Sequence, residues 1–166
     1  MISIDHVRLM ANYNRWQNQS LYRAANGIGD DERRRDRGAF FGSIHATLSH
    51  ILWADQVWMH RLVGWAKPTG SGFADSLRQW PEWSVLVAER QRTDAALIDW
   101  SQQLTPNELA GDYAWYSAAA GRDMRKPRWL LFTHMFNHQT HHRGQVHAML
   151  TQAGAKPEDT DIPLMP

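Results

Sequence analysis

FTHMFNHQTHHRGQVH, residues 132–147, carries the strongest structural signal in the sequence. Residues four apart on an α-helix lie nearly one above the other, about 40° apart around the helix axis. His134, His138 and His142 follow this spacing. Together with the apolar residues around them, they predict a long helix over residues 127–153 that presents a row of imidazoles along one side.

The spacing of apolar residues predicts three further long helices, over residues 4–25, 38–63 and 81–104. Between residues 109 and 125, aromatic residues alternate with smaller ones, which indicates two short strands or an ordered loop. The charge run DERRRDR at 31–37 is predicted to be a solvated loop. Four long helices, with one irregular or β-hairpin excursion before the last, predict an all-α four-helix bundle.

The composition limits the class of protein. A chain of 166 residues with 43% hydrophobic and 21% charged residues is expected to form a single domain over residues 1–166. A formal net charge of +1 argues against nucleic acid as a partner, and the absence of cysteine excludes disulfides, cysteine-ligated zinc and cysteine nucleophiles. Because the sequence shows neither an apolar signal peptide nor a run of about 18 apolar residues, we expect a cytoplasmic protein with no membrane partner.

The histidines of the last helix suggest a metal site. His138 and His142 project from the same face, so both imidazoles can reach one ion. A third ligand has to come from another helix, and the second helix contains His45, His50 and His60. His50 is the best placed, since its small neighbours would let the last helix approach, whereas His45 lies on another face. The residues alone leave two interpretations open, a metal centre or a set of packing and surface histidines.

Two motifs resemble those of the DinB/YfiT-like family of four-helix-bundle proteins. They are HATLSHILWAD at 45–55 and NHQTHHRGQ at 137–145. The opening helix and the ending GAKPEDTDIP at 154–163 are also similar to that family, so the resemblance covers essentially the whole chain. It implies a bundle of the up-down-down-up type and, in many members, a homodimer.

The same resemblance implies a set of metal ligands. His50, His138 and His142 match the three histidines with which the family binds a divalent metal ion, one on the second helix and two on the last. His134 and His141 are interpreted as supporting or packing residues rather than as ligands.

Three neutral imidazoles leave a divalent ion with an open coordination position. Imidazole ligands suit zinc, nickel, iron or copper, and of these we expect zinc or nickel. Such an ion activates water or a thiol, and the thiol has to be a small molecule because the chain has no cysteine. The superfamily resembled here includes thiol-dependent transferases and isomerases. We therefore predict a metal-dependent thiol transferase or hydrolase that acts on a small-molecule substrate. The alternative is a non-catalytic metal- or small-molecule-binding module of a stress response, and no catalytic residue is assigned.

Three polar residues near these motifs have more than one interpretation. Asp55 is expected to be paired with an Arg, Trp or His of another helix, because a carboxylate among apolar residues needs a partner. Arg143 could anchor a substrate carboxylate, pin its helix or fill a subunit contact. Asn14 could point toward the metal or hydrogen-bond a neighbouring helix.

Overall fold

The computed structural model describes residues 1–70 and 72–166, and four long helices account for most of them. The long helices are α1 (Ile4–Asn26), α3 (Ile44–Val63), α5 (Trp83–Gln103) and α7 (Arg128–Gln152). Three short helices lie between them: α2 (Asp30–Arg34), α4 (Phe73–Ser76) and α6 (Pro106–Leu109). A 3₁₀ turn at Ile162–Leu164 ends the chain.

The helix directions follow from two clusters of buried apolar residues, one at each end of the bundle. The first core cluster joins the end of α1, the starts of α3 and α5 and the end of α7, through residues such as Leu21, Ile44, Leu48, Leu86, Val146 and Leu150. The second joins the opposite ends of the same helices, through Val7, Met59, Leu62, Leu97, Leu104, Phe132 and Met135. Helices α1 and α7 therefore run one way and α3 and α5 the other. This is the predicted up-down-down-up bundle.

Helix α3 begins at Ile44, six residues later than the predicted start at residue 38, so that boundary was wrong. The hydroxyl of Ser43 accepts a hydrogen bond from the backbone N–H of Ala46 and caps the helix. The residues before it form a tight turn in which Gly38 and Gly42 have positive φ angles of 69° and 75°. The other end of α3 is closed by Gly64, in the left-handed conformation.

The charge run at 31–37 is not the solvated loop that was predicted. It contains most of helix α2, and the side chain of Arg33 is buried. The Arg33 guanidinium donates to the backbone carbonyls of Ala25, at 3.0 Å, and Ile28, at 2.6 Å. These carbonyls lie at the end of α1 and just beyond it, so the arginine satisfies acceptors that the helix leaves free. Periodicity cannot reveal such a tertiary contact.

The connection between α3 and α5 is long because of the directions of these two helices. Helices α3 and α5 run parallel, so the chain between them must return along the bundle. We call its described residues, 64–70 and 72–82, the return segment, and they contain α4. The segment between α6 and α7 is an antiparallel hairpin of β1 (Asp112–Ser117) and β2 (Arg122–Pro127), as predicted. Within the part of the chain that the structure describes, no helix is both long enough and apolar enough to cross a membrane.

Candidate metal centre

Helices α3 and α7 bring three histidines together near the middle of the bundle. One ring nitrogen from each of His50, His138 and His142 lies within 4.8 Å of the other two. The Nε2 atoms of His50 and His138 are 3.2 Å apart, and the rings of His138 and His142 are 4.4 Å apart between centroids. We call this group the histidine cluster. It is the set that the family resemblance implied as ligands.

In two of these imidazoles, the Nδ1 atom makes a hydrogen bond outside the cluster. The Nδ1 atom of His50 is 2.9 Å from Ser76 Oγ, and that hydroxyl donates its own proton to the carbonyl of Phe73 at 2.6 Å. Ser76 Oγ therefore accepts from His50 Nδ1–H. The Nδ1 atom of His142 likewise lies 2.8 Å from the amide oxygen of Gln145. Protons fixed on Nδ1 leave the Nε2 lone pairs of both rings free for an ion.

The cluster carries no charge at neutral pH. Burial and the neighbouring His142 lower the pKa of His50 to about 4. Burial, followed by the surrounding histidines, lowers the pKa of His138 to about 3. Burial also lowers the pKa of His142. A neutral imidazole is the form that binds metals.

The geometry fits a divalent cation. Two nitrogens bound to zinc at 2.0–2.1 Å and at tetrahedral angles would be about 3.3–3.4 Å apart, close to the 3.2 Å between the Nε2 atoms of His50 and His138. Among the described residues, these three form the one group of His, Asp or Glu side chains close enough to share an ion, and it contains no carboxylate. Three nitrogen ligands without a fourth protein ligand are typical of catalytic rather than structural zinc sites.

His134 and His141 lie beside the cluster and outside it. The His134 ring packs edge-on against Trp58, with a centroid distance of 5.2 Å, and lies 5.8 Å from His138. The His141 ring is 4.8 Å from that of His142, and its Nε2 atom is 3.4 Å from the amide nitrogen of Gln145. Both residues are exposed. These positions agree with supporting roles.

Asp55 is paired with an arginine of another helix, as predicted. Its carboxylate forms an ion pair of 2.6 Å with Arg90 on α5 and accepts a hydrogen bond of 2.8 Å from Gln139 on α7. Burial raises the pKa of Asp55, while the Arg90 charge and the Gln139 hydrogen bond oppose this shift. Asp55 therefore links α3, α5 and α7 and lies apart from the histidine cluster.

Arg143 and Asn14 belong to the same buried set of polar side chains. Arg143 donates to the amide oxygen of Asn14, so it pins α7 to α1. The amide nitrogen of Asn14 donates to Asp94 on α5 at 3.1 Å, and Arg90 completes the set by pairing with Asp94 at 2.8 Å. Asn14 thus bonds a neighbouring helix and does not point at the cluster. We call these residues the central network: Asn14, Asn18, Asp55, Arg90, Asp94, Gln139 and Arg143.

Sequence reasoning missed several of these residues. Arg90 and Asp94 lie four apart on α5, a spacing that signals an ion pair on one helix face. Nothing in the sequence marks that face as buried. Ser76 was also missed, because its contact with His50 depends on how the return segment folds back.

A helix bundle with a three-histidine cluster between two of its long helices is the class of structure defined by these observations. The sequence model of the DinB family matches residues 4–166, and the chain belongs to that family. It is 25% identical over 164 residues to Protein DinB of Bacillus subtilis (strain 168), covering 96% of this chain and 93% of that protein. The crystal structure of a DinB-like protein from Bacillus cereus ATCC 10987 has the same fold, with a TM-score of 0.62 and 18% identity over 87% of this chain and 90% of that one.

Proposed function

We propose that His50, His138 and His142 bind one divalent metal ion, zinc or nickel, and that the ion serves a reaction on a small molecule. The observation that supports this most directly is the convergence of three imidazole nitrogens within 4.8 Å. The hydrogen bonds from His50 to Ser76 and from His142 to Gln145 support it further, because they fix the ring orientation that a metal requires.

The proposed reaction is nucleophilic. A divalent ion with an open position activates a water molecule or a thiol at neutral pH, which corresponds to a hydrolase or a thiol transferase. A thiol would come from solution, since the chain contains no cysteine. The chain would keep the three imidazoles neutral and in the orientation that an ion requires. Burial keeps His50 and His138 neutral because it lowers their pKa values.

Metal content tests the first half of the proposal. The untagged protein, supplied with zinc and nickel and then desalted, is expected to retain about one ion per chain by elemental analysis. The variant His138→Ala should retain almost none, because two imidazoles make a weak site. The matched control is His134→Ala, one turn earlier on α7, which should bind as the parent does. Equal metal content in parent and His138→Ala would reject the site.

Turnover tests the second half of the proposal, that the ion serves a reaction on a small molecule. The metal-loaded protein is incubated with small thiols and a panel of electrophiles and esters, and products are followed by mass spectrometry. We expect adducts or hydrolysis that depend on the metal and disappear in His138→Ala. A loaded protein that yields no metal-dependent product would favour a binding module and reject the enzymatic proposal.

A further inference from the structure

Two phenylalanines beside the histidine cluster are exposed to solvent. Phe40, in the turn before α3, is 74% exposed, and Phe73, at the start of α4, is 53% exposed. Between them lies Phe41, which is buried and contacts both. The Phe41 ring is 4.2 Å from that of His50 and 5.0 Å from that of His142, between centroids. We call these three residues the phenylalanine mouth.

The exposed rings are held in place by ordered backbone. In the turn that carries Phe40, the N–H of Arg37 donates to the carbonyl of Gly42 at 2.8 Å, and the N–H of Gly42 donates to Ala39 at 2.8 Å. Helix α4, which carries Phe73, is fastened to α3 because Ser49 Oγ donates to the Ser76 carbonyl at 2.5 Å. Exposure of two large apolar rings is unfavourable in water, and apolar groups rimming a polar site are typical of ligand-binding surfaces.

The surroundings of the cluster are aromatic rather than charged. The Phe73 ring is 5.3 Å from that of His50, and on the other side Trp58 packs on His134, which neighbours His138. A ligand at this position therefore meets flat aromatic rings on two sides of the cluster.

We propose that the phenylalanine mouth binds an aromatic ring of the substrate, so that the substrate is a small molecule that carries both this ring and a metal-binding atom. The proposal rests on the proposed function, since the metal-binding atom needs the ion at the cluster. Its own support is the contact of Phe41 and Phe73 with the ligand histidines and the exposure of Phe40 and Phe73. Ring-on-ring packing of this kind contributes specificity beyond the buried area.

The test compares two uncharged thiols of similar acidity, phenylmethanethiol and 2-mercaptoethanol, on the cobalt-loaded protein by absorption spectroscopy. We expect phenylmethanethiol to bind about tenfold more tightly. Phe40→Ala and Phe73→Ala should each weaken binding of phenylmethanethiol severalfold more than binding of 2-mercaptoethanol. Both side chains are exposed, so the fold should tolerate the substitutions. Tyr116→Ala is the control, because Tyr116 is 63% exposed on the hairpin and away from the mouth.

A second measurement needs no metal. Saturation-transfer NMR with benzyl alcohol and the metal-free protein should show contact of the aromatic ring, lost when Phe40 and Phe73 are both changed to alanine. Cobalt binding without a preference for the aromatic thiol, or a preference that survives in both variants, would overturn the inference and leave the metal site intact. Failure to bind cobalt, zinc or nickel would instead reject the proposed function. A change of oligomeric state in the double variant would show that the phenylalanine mouth contacts a second copy of the chain, and this would overturn the inference.

Discussion

The histidine cluster and the central network occupy the same bundle and are interleaved on the same helix. On α7, Gln139 follows His138 and Arg143 follows His142, so in each of these adjacent pairs one residue belongs to the histidine cluster and the other to the central network. The central network pairs one arginine, Arg90, with two aspartates, Asp55 and Asp94, and adds amide hydrogen bonds to both carboxylates. The histidine cluster contains no carboxylate, and the Nε2 atoms of His50 and His138 lie 3.2 Å apart.

The two groups differ in what their side chains bind. The hydrogen bonds and ion pairs of the central network link α1, α3, α5 and α7 to one another. The ring nitrogens of the histidine cluster converge on one point, and a metal ion is the further partner that we propose for them. Because Gln139 and Arg143 are tied to α3 and α1, the central network also fixes the rotation of α7 that turns His138 and His142 toward His50.

The largest effect is expected from breaking the central network. Asp55→Ala removes a carboxylate that pairs with Arg90 and accepts from Gln139, and it leaves buried donors without their acceptor. Loss of one member of a buried ion pair costs about 3–5 kcal/mol. Urea unfolding should show this decrease in the free energy of unfolding, while Asp99→Ala, at an exposed position on α5, should change it by less than about 0.5 kcal/mol. A loss below about 1 kcal/mol for Asp55→Ala would mean that the network is not a structural anchor.

A smaller effect is expected from loosening the cluster without removing a ligand. Ser76→Ala deletes the acceptor for His50 Nδ1–H and leaves all three imidazoles in place. Loss of such a partner typically lowers metal affinity by about 10- to 100-fold. Competition with a chelator of known affinity measures the change. Ser49→Ala is the matched control, since Ser49 fastens α4 through the Ser76 carbonyl and does not touch His50. Equal losses in both variants would show that α4 matters only as a packing element.

The smallest effect concerns a histidine that belongs to neither group. His45 donates from Nε2 to the carbonyl of Trp80 at 2.8 Å, and its Nδ1 atom is buried without a partner. Burial lowers the pKa of His45, since a proton on Nδ1 would add a buried charge. As the pH falls below about 6.5, the unfolded chain takes up this proton before the folded protein does, so stability decreases with acidification.

The variant His45→Gln isolates that contribution. It keeps a donor for Trp80 and removes the titration, so the metal-free variant should lose stability less steeply below pH 6.5, by up to about 1.4 kcal/mol per pH unit. Urea unfolding in a chelator at several pH values measures the slope. Identical slopes for parent and variant would show that His45 binds its proton equally well in the folded protein.

The sequence predicted the features that depend on local spacing. The four long helices, the hairpin and the face shared by His138 and His142 all follow from residues a few positions apart. The role of Asp55 was also predictable, since a carboxylate in an apolar helix needs a partner, but the identity of Arg90 was not. Ser76 and the phenylalanine mouth escaped because they act across long separations in the chain, where periodicity carries no information. Arg33 escaped because its hydrogen bonds to Ala25 and Ile28 depend on how α2 folds back on the end of α1. The start of α3 was misplaced because apolar residues in the turn before it continue the helical pattern.

The parallel course of α3 and α5 has a consequence for how this centre can vary. A 20-residue helix is about 30 Å long, and the return segment has to travel that distance back before α5 can begin. On the way it passes His50 and supplies both Ser76 and Phe73. The three histidines that we propose as ligands lie on the long helices α3 and α7, whereas the hydroxyl that binds His50 Nδ1 and one of the two exposed phenylalanines lie on the return segment. If the proposed site is correct, changes confined to the return segment would alter its selectivity and leave the three histidines in place.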